Sequence, residues 1–451
     1  MAEITVTNWF GDVVSHPQVL VEASSKEEII AILKDPVKYP SPVRAVGSNH
    51  STPPCGVADG GTLIKMTNMN NIVSITDTTV TAQAGAILID VAQELEKRNM
   101  QFYVNTEIGS LSMGSAACAG TKDGSFFGEY GQVGSYLTEV EMILPSGEIL
   151  EVDESQPALL QQIRSSYGLF GIVTAATFRI RPIIPMAVHH KTFHIAEFIE
   201  QLPQLWACNE SMMYYLFPFE DLITVEFRKY NPGATGSPDR IIWPSRNYLW
   251  ATAGPKFCYQ VENEIADKNI RYSVINNFCS VWRFKLENIV TSDNTIATDQ
   301  IIRYPKVSDD SRYTFSLWAF PQEIYSTVLP AYVQFAKDYY QQKGYRTNML
   351  NVGYRISQDQ QSLLSYSYDG TVMTIDPVST HNPGWEDFLD AYNVFCAARG
   401  GKALLNQTAR LTRSQVQNSL GDRVKQFNSA RKTYDPNNRL LNSYFKDLLA
   451  D

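Results

Sequence analysis

The stretch Arg44-Ala45-Val46-Gly47-Ser48-Asn49-His50-Ser51 constrains this chain more than any other. It follows a predicted helix, Ser25 to Lys34, and a linker broken by Pro36, Pro40 and Pro42. Arg44 to Val46 reads as a short strand, and Gly47-Ser48-Asn49 reads as a turn. Glycine tolerates positive φ, and its missing side chain lets backbone N–H groups converge on an anion. Ser48, Asn49 and Ser51 add side-chain donors, while His50 stands at the tip, where a loop residue reaches a ligand. A Gly-Ser-Asn turn alone is common, but two later stretches add weight to it. Gly109 to Thr121 is a run of small residues read as a loop, suited either to a tight helix contact or to wrapping a ligand. Gly168 to Pro182 is a glycine turn followed by a β-branched strand that stops at proline.

At 451 residues the chain exceeds what one hydrophobic core usually holds, which predicts two domains. Its formal net charge of −9 argues against nucleic acid or an anionic membrane surface as the main partner. There is no run of about 18 apolar residues, so no membrane span is expected. Met1-Ala2-Glu3-Ile4-Thr5 lacks the basic start and apolar core of a secretory signal. Cys55, Cys118, Cys208, Cys258, Cys279 and Cys396 lie far apart without metal-type spacing, so buried free thiols and no metal site are expected. Asn49-His50-Ser51 is also a glycosylation sequon. A glycan there would block the loop, which predicts a cytoplasmic protein.

Along the chain, Asn8 to Asp12 reads as a hydrophobic plug. Strands are predicted at 19–22, 63–66, 72–75, 79–85 and 136–144, with helices at 89–99 and 158–164. Pro182 and Pro185 mark a boundary. Beyond it, aromatic strand-like runs at 214–217, 223–227 and 313–318 suggest a large antiparallel sheet, with helical segments near 194–206 and 322–342. The chain has no strand-linked Gly-x-Gly-x-x-Gly, no Walker lysine and no Gly-x-Ser-x-Gly elbow.

The order and spacing of the three small-residue stretches resemble the FAD-binding domain of the vanillyl-alcohol oxidase / p-cresol methylhydroxylase (PCMH) superfamily, most of all its sugar-lactone and alditol oxidase branch. The resemblance covers about residues 8 to 184. It returns at 399 to 451, where Arg431 to Tyr444 matches a closing signature with an Asp-Pro stop. It implies an α+β fold: a PCMH-type FAD-binding domain over 1–184, a substrate-binding cap with an antiparallel sheet over 185–398, and a return to the FAD domain over 399–451. The implied FAD contacts are Val46, Gly47, Ser48, Asn49, His50 and Ser51, then Ser110, Gly114, Ala117, Cys118, Gly120 and Thr121, then Ile172 and Val173, and finally Asn442. His50 matches the position that in many relatives bonds covalently to the flavin 8α carbon; the alternative is a hydrogen bond to the pyrophosphate or ribityl chain.

The chain also departs from the pattern. Relatives carry Gly-Thr-His-Gly where this sequence has Gly120-Thr121-Lys122-Asp123-Gly124. Where sugar oxidases place a lysine after a glycine turn, this chain has Gln407, with Lys402, Arg410 or Asn406 as substitutes. A strand that should carry Glu and Arg reads Asn351-Val352-Gly353-Tyr354-Arg355. The implied catalytic set is therefore Arg355, Tyr366, Asp376 and Gln407, with Tyr354 and Tyr368 as further candidate bases. His381 reads as a loop residue, and His189 and His190 as solvated boundary residues. The implied reaction is two-electron oxidation of a C–H bond next to O or N by hydride transfer to flavin N5, with O₂ or another electron acceptor reoxidising the flavin. The substrate would be a small molecule, either a sugar-like alcohol or, given the missing charges and the aromatic cap, a larger and flatter metabolite. A flavin-assisted cyclase or epimerase, or a flavin-binding protein without turnover, are the alternatives.

Overall fold

In a computed structural model, residues 4–305 and 312–449 are described. Residues 1–3 of the N-terminal stretch considered above lie outside the described residues. Three short strands begin the architecture. Val19–Glu22, Thr62–Lys65 and Val43–Val46 pair in that order, all parallel. Lys26–Lys34 is the crossover helix that a parallel pair requires. Ser25 caps it by accepting from the Glu28 N–H, and Ile29, Ile32 and Leu33 bury its inner face.

A second sheet is antiparallel, in the order Ile149–Asp153, Leu137–Ile143, Ile172–Pro182, Thr79–Gln83, Ile72–Ile75. Met100–Phe102 pairs with the far end of Ile172–Pro182. The expected loop at 109–121 contains a short helix, Met113–Cys118, capped by Ser112. The physical reason is close packing. Gly114 has no room for a Cβ, which would stand 2.8 Å from that of Ala84, so the small residues let this turn lie directly on the sheet.

The chain then enters an eight-stranded antiparallel sheet. Its order is Ser292–Thr295, Met186–His194, Leu222–Tyr230, Ser211–Phe217, Asn351–Ile356, Val372–Ile375, Trp318–Pro321, Lys402–Ala403. The run read as one strand over 313–318 is two, Thr314–Phe315 and Trp318–Pro321, which join different sheets. Ser211–Phe217 is buried on both faces, which explains its uninterrupted apolar and aromatic sequence. Tyr214 and Leu216 belong to one apolar cluster with helices Ile195–Ala207 and Tyr325–Lys343. Met213, Tyr215 and Phe217 face the opposite cluster.

That opposite cluster holds a helical layer the sequence reading did not anticipate: Ile242–Tyr248, a π-helical turn at Leu249–Ala253, Gly254–Glu264 and Lys268–Asn288. His190 is another correction. It is buried, and its Nε2 lies 3.0 Å from Glu226. Adjacent His189 is exposed, as expected from alternation along a strand.

The C-terminal segment is fastened to the N-terminal one. Arg439 donates to the carbonyls of Ile32 and Leu33, and Asn442 donates to those of Pro54, Cys55 and Val57. No helix among the described residues is long and apolar enough to cross a membrane.

Candidate active site

Two cavities meet at His50. The smaller encloses about 710 Å³ of empty space, counting its mouth, and is lined by Val46, Gly47, Asn49, Gly114, Cys118, Ile172 and Val173, among others. The larger, about 920 Å³ on the same basis, is lined by Ser48, Gly120, Thr121, Lys122, Asn406, Gln407 and a wall of aromatic rings. His50, Ser51, Ser115, Ala119 and Asn406 line both. The rest of the smaller cavity's lining includes strand Val43–Val46, and that of the larger includes strand Asn351–Ile356.

In the first stretch the positive φ falls on Asn49 and not on Gly47. Asn49 adopts φ +56°, and the backbone N–H groups of Ser48, Asn49, His50 and Ser51 donate to no described residue. Successive free N–H groups around a left-handed residue form an anion-binding nest. Gly47 is required by packing, since a Cβ there would stand 2.1 Å from Ser112 Oγ. Arg44 lines the same cavity and is fully buried. It donates to the carbonyls of Cys55 (3.1 Å), Tyr167 (2.7 Å), Gly168 (3.4 Å) and Leu440 (3.0 Å) and makes no ion pair among the described residues. Burial pushes its guanidinium down to about 10. A nest of free donors beside an uncompensated buried cation fits the pyrophosphate of FAD.

His50 stacks on Trp9, centroids 4.9 Å apart at 18°. Burial pushes its imidazole down to about 3, so it is neutral. Cys118 donates to the Gly114 carbonyl, and burial pushes its thiol up to about 11, so it is a neutral small wall rather than a thiolate.

Three expected cofactor contacts fall elsewhere. Ser110 accepts from the Tyr304 N–H, Ala117 packs in the core, and Asn442 holds the 54–57 loop and caps the last helix. None of the three lines either cavity.

The expected catalytic set divides as well. Gln407 lines the larger cavity, and its Oε1 has no partner among the described residues; the same holds for Asn406 Oδ1. Arg355 does not reach it. Val352 and Tyr354 face the cavity, so their neighbour Arg355 projects from the other face of the sheet, where its Nε donates to Gln322. Tyr366 is buried behind the wall and donates to the Thr121 carbonyl. Asp376 reaches the cavity only through Lys122, with which it forms a buried ion pair. Lys402 pairs with Asp369 and Arg410 with Asp390, both away from the cavity. Tyr368 lies outside it, with Arg423 over its ring.

Sequence reasoning missed much of the far wall. Glu107 forms a buried ion pair with Arg246 and accepts from Tyr354 Oη at 3.1 Å. Tyr313 donates to Tyr304 Oη at 2.7 Å. Trp250, on the π-helical turn, lines the same cavity. An interrupted helix that presents a side chain to a cavity is a recurrent device at functional sites.

The fold and its loops define a class: a flavoprotein of the PCMH type. Residues 17–153 match the FAD binding domain family, and residues 176–448 match the family described as D-arabinono-1,4-lactone oxidase. The chain belongs to this D-arabinono-1,4-lactone oxidase family. It is 24% identical over 217 residues to L-gulono-1,4-lactone dehydrogenase of Mycobacterium tuberculosis, covering 48% of this chain and 50% of the relative. It is 27% identical over 259 residues to D-arabinono-1,4-lactone oxidase of Candida glabrata, covering 56% and 48%. The chain thus spans about half the length of the curated relatives it matches. In fold it is similar to cholesterol oxidase from B. sterolicum, with a TM-score of 0.73, 14% identity and coverage of 99% and 97%. A solvent-stable cholesterol oxidase is comparably similar, with a TM-score of 0.74, 15% identity and coverage of 100% and 98%.

Proposed function

We propose that this protein is an FAD-dependent oxidoreductase that oxidises a C–H bond adjacent to O or N in a small molecule, with O₂ or another acceptor closing the cycle. The observation that carries this is the pair of cavities that share His50, with a nest of free N–H groups at the junction and an aromatic chamber to one side of it. FAD, when bound, supplies the hydride acceptor. The 48–51 N–H groups and Arg44 would hold its pyrophosphate. His50, neutral and stacked on Trp9, offers the free lone pair that a covalent bond to the flavin requires. Asn406 and Gln407 would present neutral polar atoms in place of the lysine of sugar oxidases.

The chamber favours a flat, apolar body over a polyhydroxylated one. Ile108, Trp250, Phe315, Val352 and Val378 line it. Several of its polar groups are already paired with one another or with residues behind the wall: Glu107 with Arg246 and Tyr354, Tyr313 with Tyr304, and Lys122 with Asp376. A sugar hydroxyl left unpaired there costs about 1–3 kcal/mol. A cytoplasmic site of action accords with the free thiols, Cys208 among them at the surface.

Anaerobic bleaching of the bound flavin tests the reading. Alicyclic or aromatic alcohols are expected to bleach it faster than L-gulono-1,4-lactone or D-arabinono-1,4-lactone. Faster bleaching by the lactones would overturn the substrate class, and a protein that takes up no FAD would overturn the function.

A further inference from the structure

We propose that Lys122 accepts the hydroxyl proton of the substrate and that Asp376 positions it, an assignment that rests on the flavoenzyme reading above. Lys122 is a buried amine on the wall of the larger cavity. Its Nζ lies 4.5 Å from the Phe315 ring centroid and 5.4 Å from that of Tyr354. Asp376 meets it from the eight-stranded sheet, held by a reciprocal backbone pair with Val352 (2.8 and 3.0 Å). The Asp376 Oδ1 atom has no partner among the described residues.

The other titratable groups facing Lys122 are committed elsewhere. Glu107 is held by Arg246 and Tyr354, Tyr354 spends its proton on Glu107, and Tyr313 donates to Tyr304. Asp123, next in the chain, is bound by Arg228 at 2.8 Å. Nor can the strand supply a carboxylate at 353, since a Cβ there would stand 2.1 Å from Tyr214 Cε2 and 2.4 Å from the Thr374 carbonyl. A charged pair of this cavity besides Glu107–Arg246 thus comes from the 120–124 loop and the turn after Val372–Ile375.

Burial pushes the Lys122 ammonium down, toward the neutral amine, and the Asp376 carboxylate opposes that shift. In that form Lys122 has a lone pair for the substrate. As the C–H electron pair leaves with its hydrogen to FAD, the O–H bond breaks and its proton forms an N–H bond on Lys122, leaving a carbonyl. The alcohol loses two electrons and FAD gains two. The resulting ammonium then stands in the cavity where negative charge has developed.

The test needs no substrate. The full-length holoprotein is titrated from pH 6 to pH 10 while the visible bands of its bound FAD are followed, since a charge appearing beside the ring shifts them. The wild-type bands are expected to move in a step that Lys122→Met abolishes. Asp376→Asn should displace the step to lower pH by about one unit, because the carboxylate that favours the ammonium is gone. Burial takes Tyr354 well above this window and His50 below it. Asp123, pushed up by burial to about 6, titrates at its lower edge and would survive both changes. Should Lys122→Met not retain FAD, Lys122→Arg decides, because a guanidinium does not titrate in this range. A step above the Asp123 edge that persists in either Lys122 variant, such a step unmoved in Asp376→Asn, or none in the wild type overturns the assignment. Wild-type protein that binds no FAD contradicts the flavin reading itself.

Discussion

Arg44→Met tests how the cofactor cavity is held together. The substitution keeps the length of the buried stem and removes the guanidinium. Three carbonyls, those of Tyr167, Gly168 and Leu440, lose their donor, while that of Cys55 keeps Asn442. Each buried acceptor left unpaired costs about 1 kcal/mol at the low end, or about 3 kcal/mol together. Against this, the native state no longer buries a cation without a carboxylate partner, which returns roughly 1 kcal/mol. The expected net destabilisation is about 2 kcal/mol in urea unfolding of the apoprotein. The same carbonyls belong to the 55–56 loop, the 167–168 turn and the C-terminal segment, so the cavity loosens as well. FAD affinity, read by quenching of flavin fluorescence, is expected to fall at least about tenfold, or about 1.4 kcal/mol. A loss of less than about 1 kcal/mol with unaltered FAD affinity would refute the reasoning, because Arg44 would then neither tie the loops nor face the anion.

Other perturbations have equally definite outcomes. Gly353→Ala should destabilise by about 3 kcal/mol in thermal unfolding, since the new Cβ meets the Tyr214 ring and the Thr374 backbone; a neutral result would show that the strand can shift. Glu226 is buried, which alone raises its carboxyl, but Arg228 and His190 hold it well below the ordinary glutamate range. Its contribution is therefore present above about pH 4.3 and is lost as pH falls below that. Glu226→Gln should cost about 3 kcal/mol at neutral pH and flatten the acid limb of a stability profile. Trp9→Ala should leave the fold intact, remove about 1 kcal/mol of ring stacking from His50, and slow the appearance of acid-stable flavin after FAD is added to the apoprotein.

The lining of the smaller cavity was readable because its residues lie in local motifs. Gly47, Asn49 and Ser51 reach it from a turn marked in the sequence, and Ile172 and Val173, implied by the family resemblance, reach it from the strand after a glycine turn. The charged pairs around the larger cavity were not readable, because their groups meet only through the fold. Lys122 and Asp376 are 254 positions apart, and Glu107 and Arg246 are 139 apart. Arg355 was misplaced by one residue of alternation, which on a strand means the opposite face. Ser110 and Asn442 carry the right chemistry but spend it on neighbouring loops. The 242–288 helices escaped notice because Trp243, Trp250, Phe278 and Trp282 are aromatic residues of the kind that also enrich strands.

The central claim is that the two cavities joined at His50 hold FAD, bound covalently through that residue. The most direct test is a visible spectrum of the purified protein, followed by acid precipitation and spectra of the pellet and the supernatant. Yellow retained in the wild-type pellet and released to the supernatant by His50→Ala is the predicted result. Yellow released from the wild type would keep the cofactor and contradict the covalent bond. No flavin in either fraction, even after incubation with FAD, would contradict the claim as a whole.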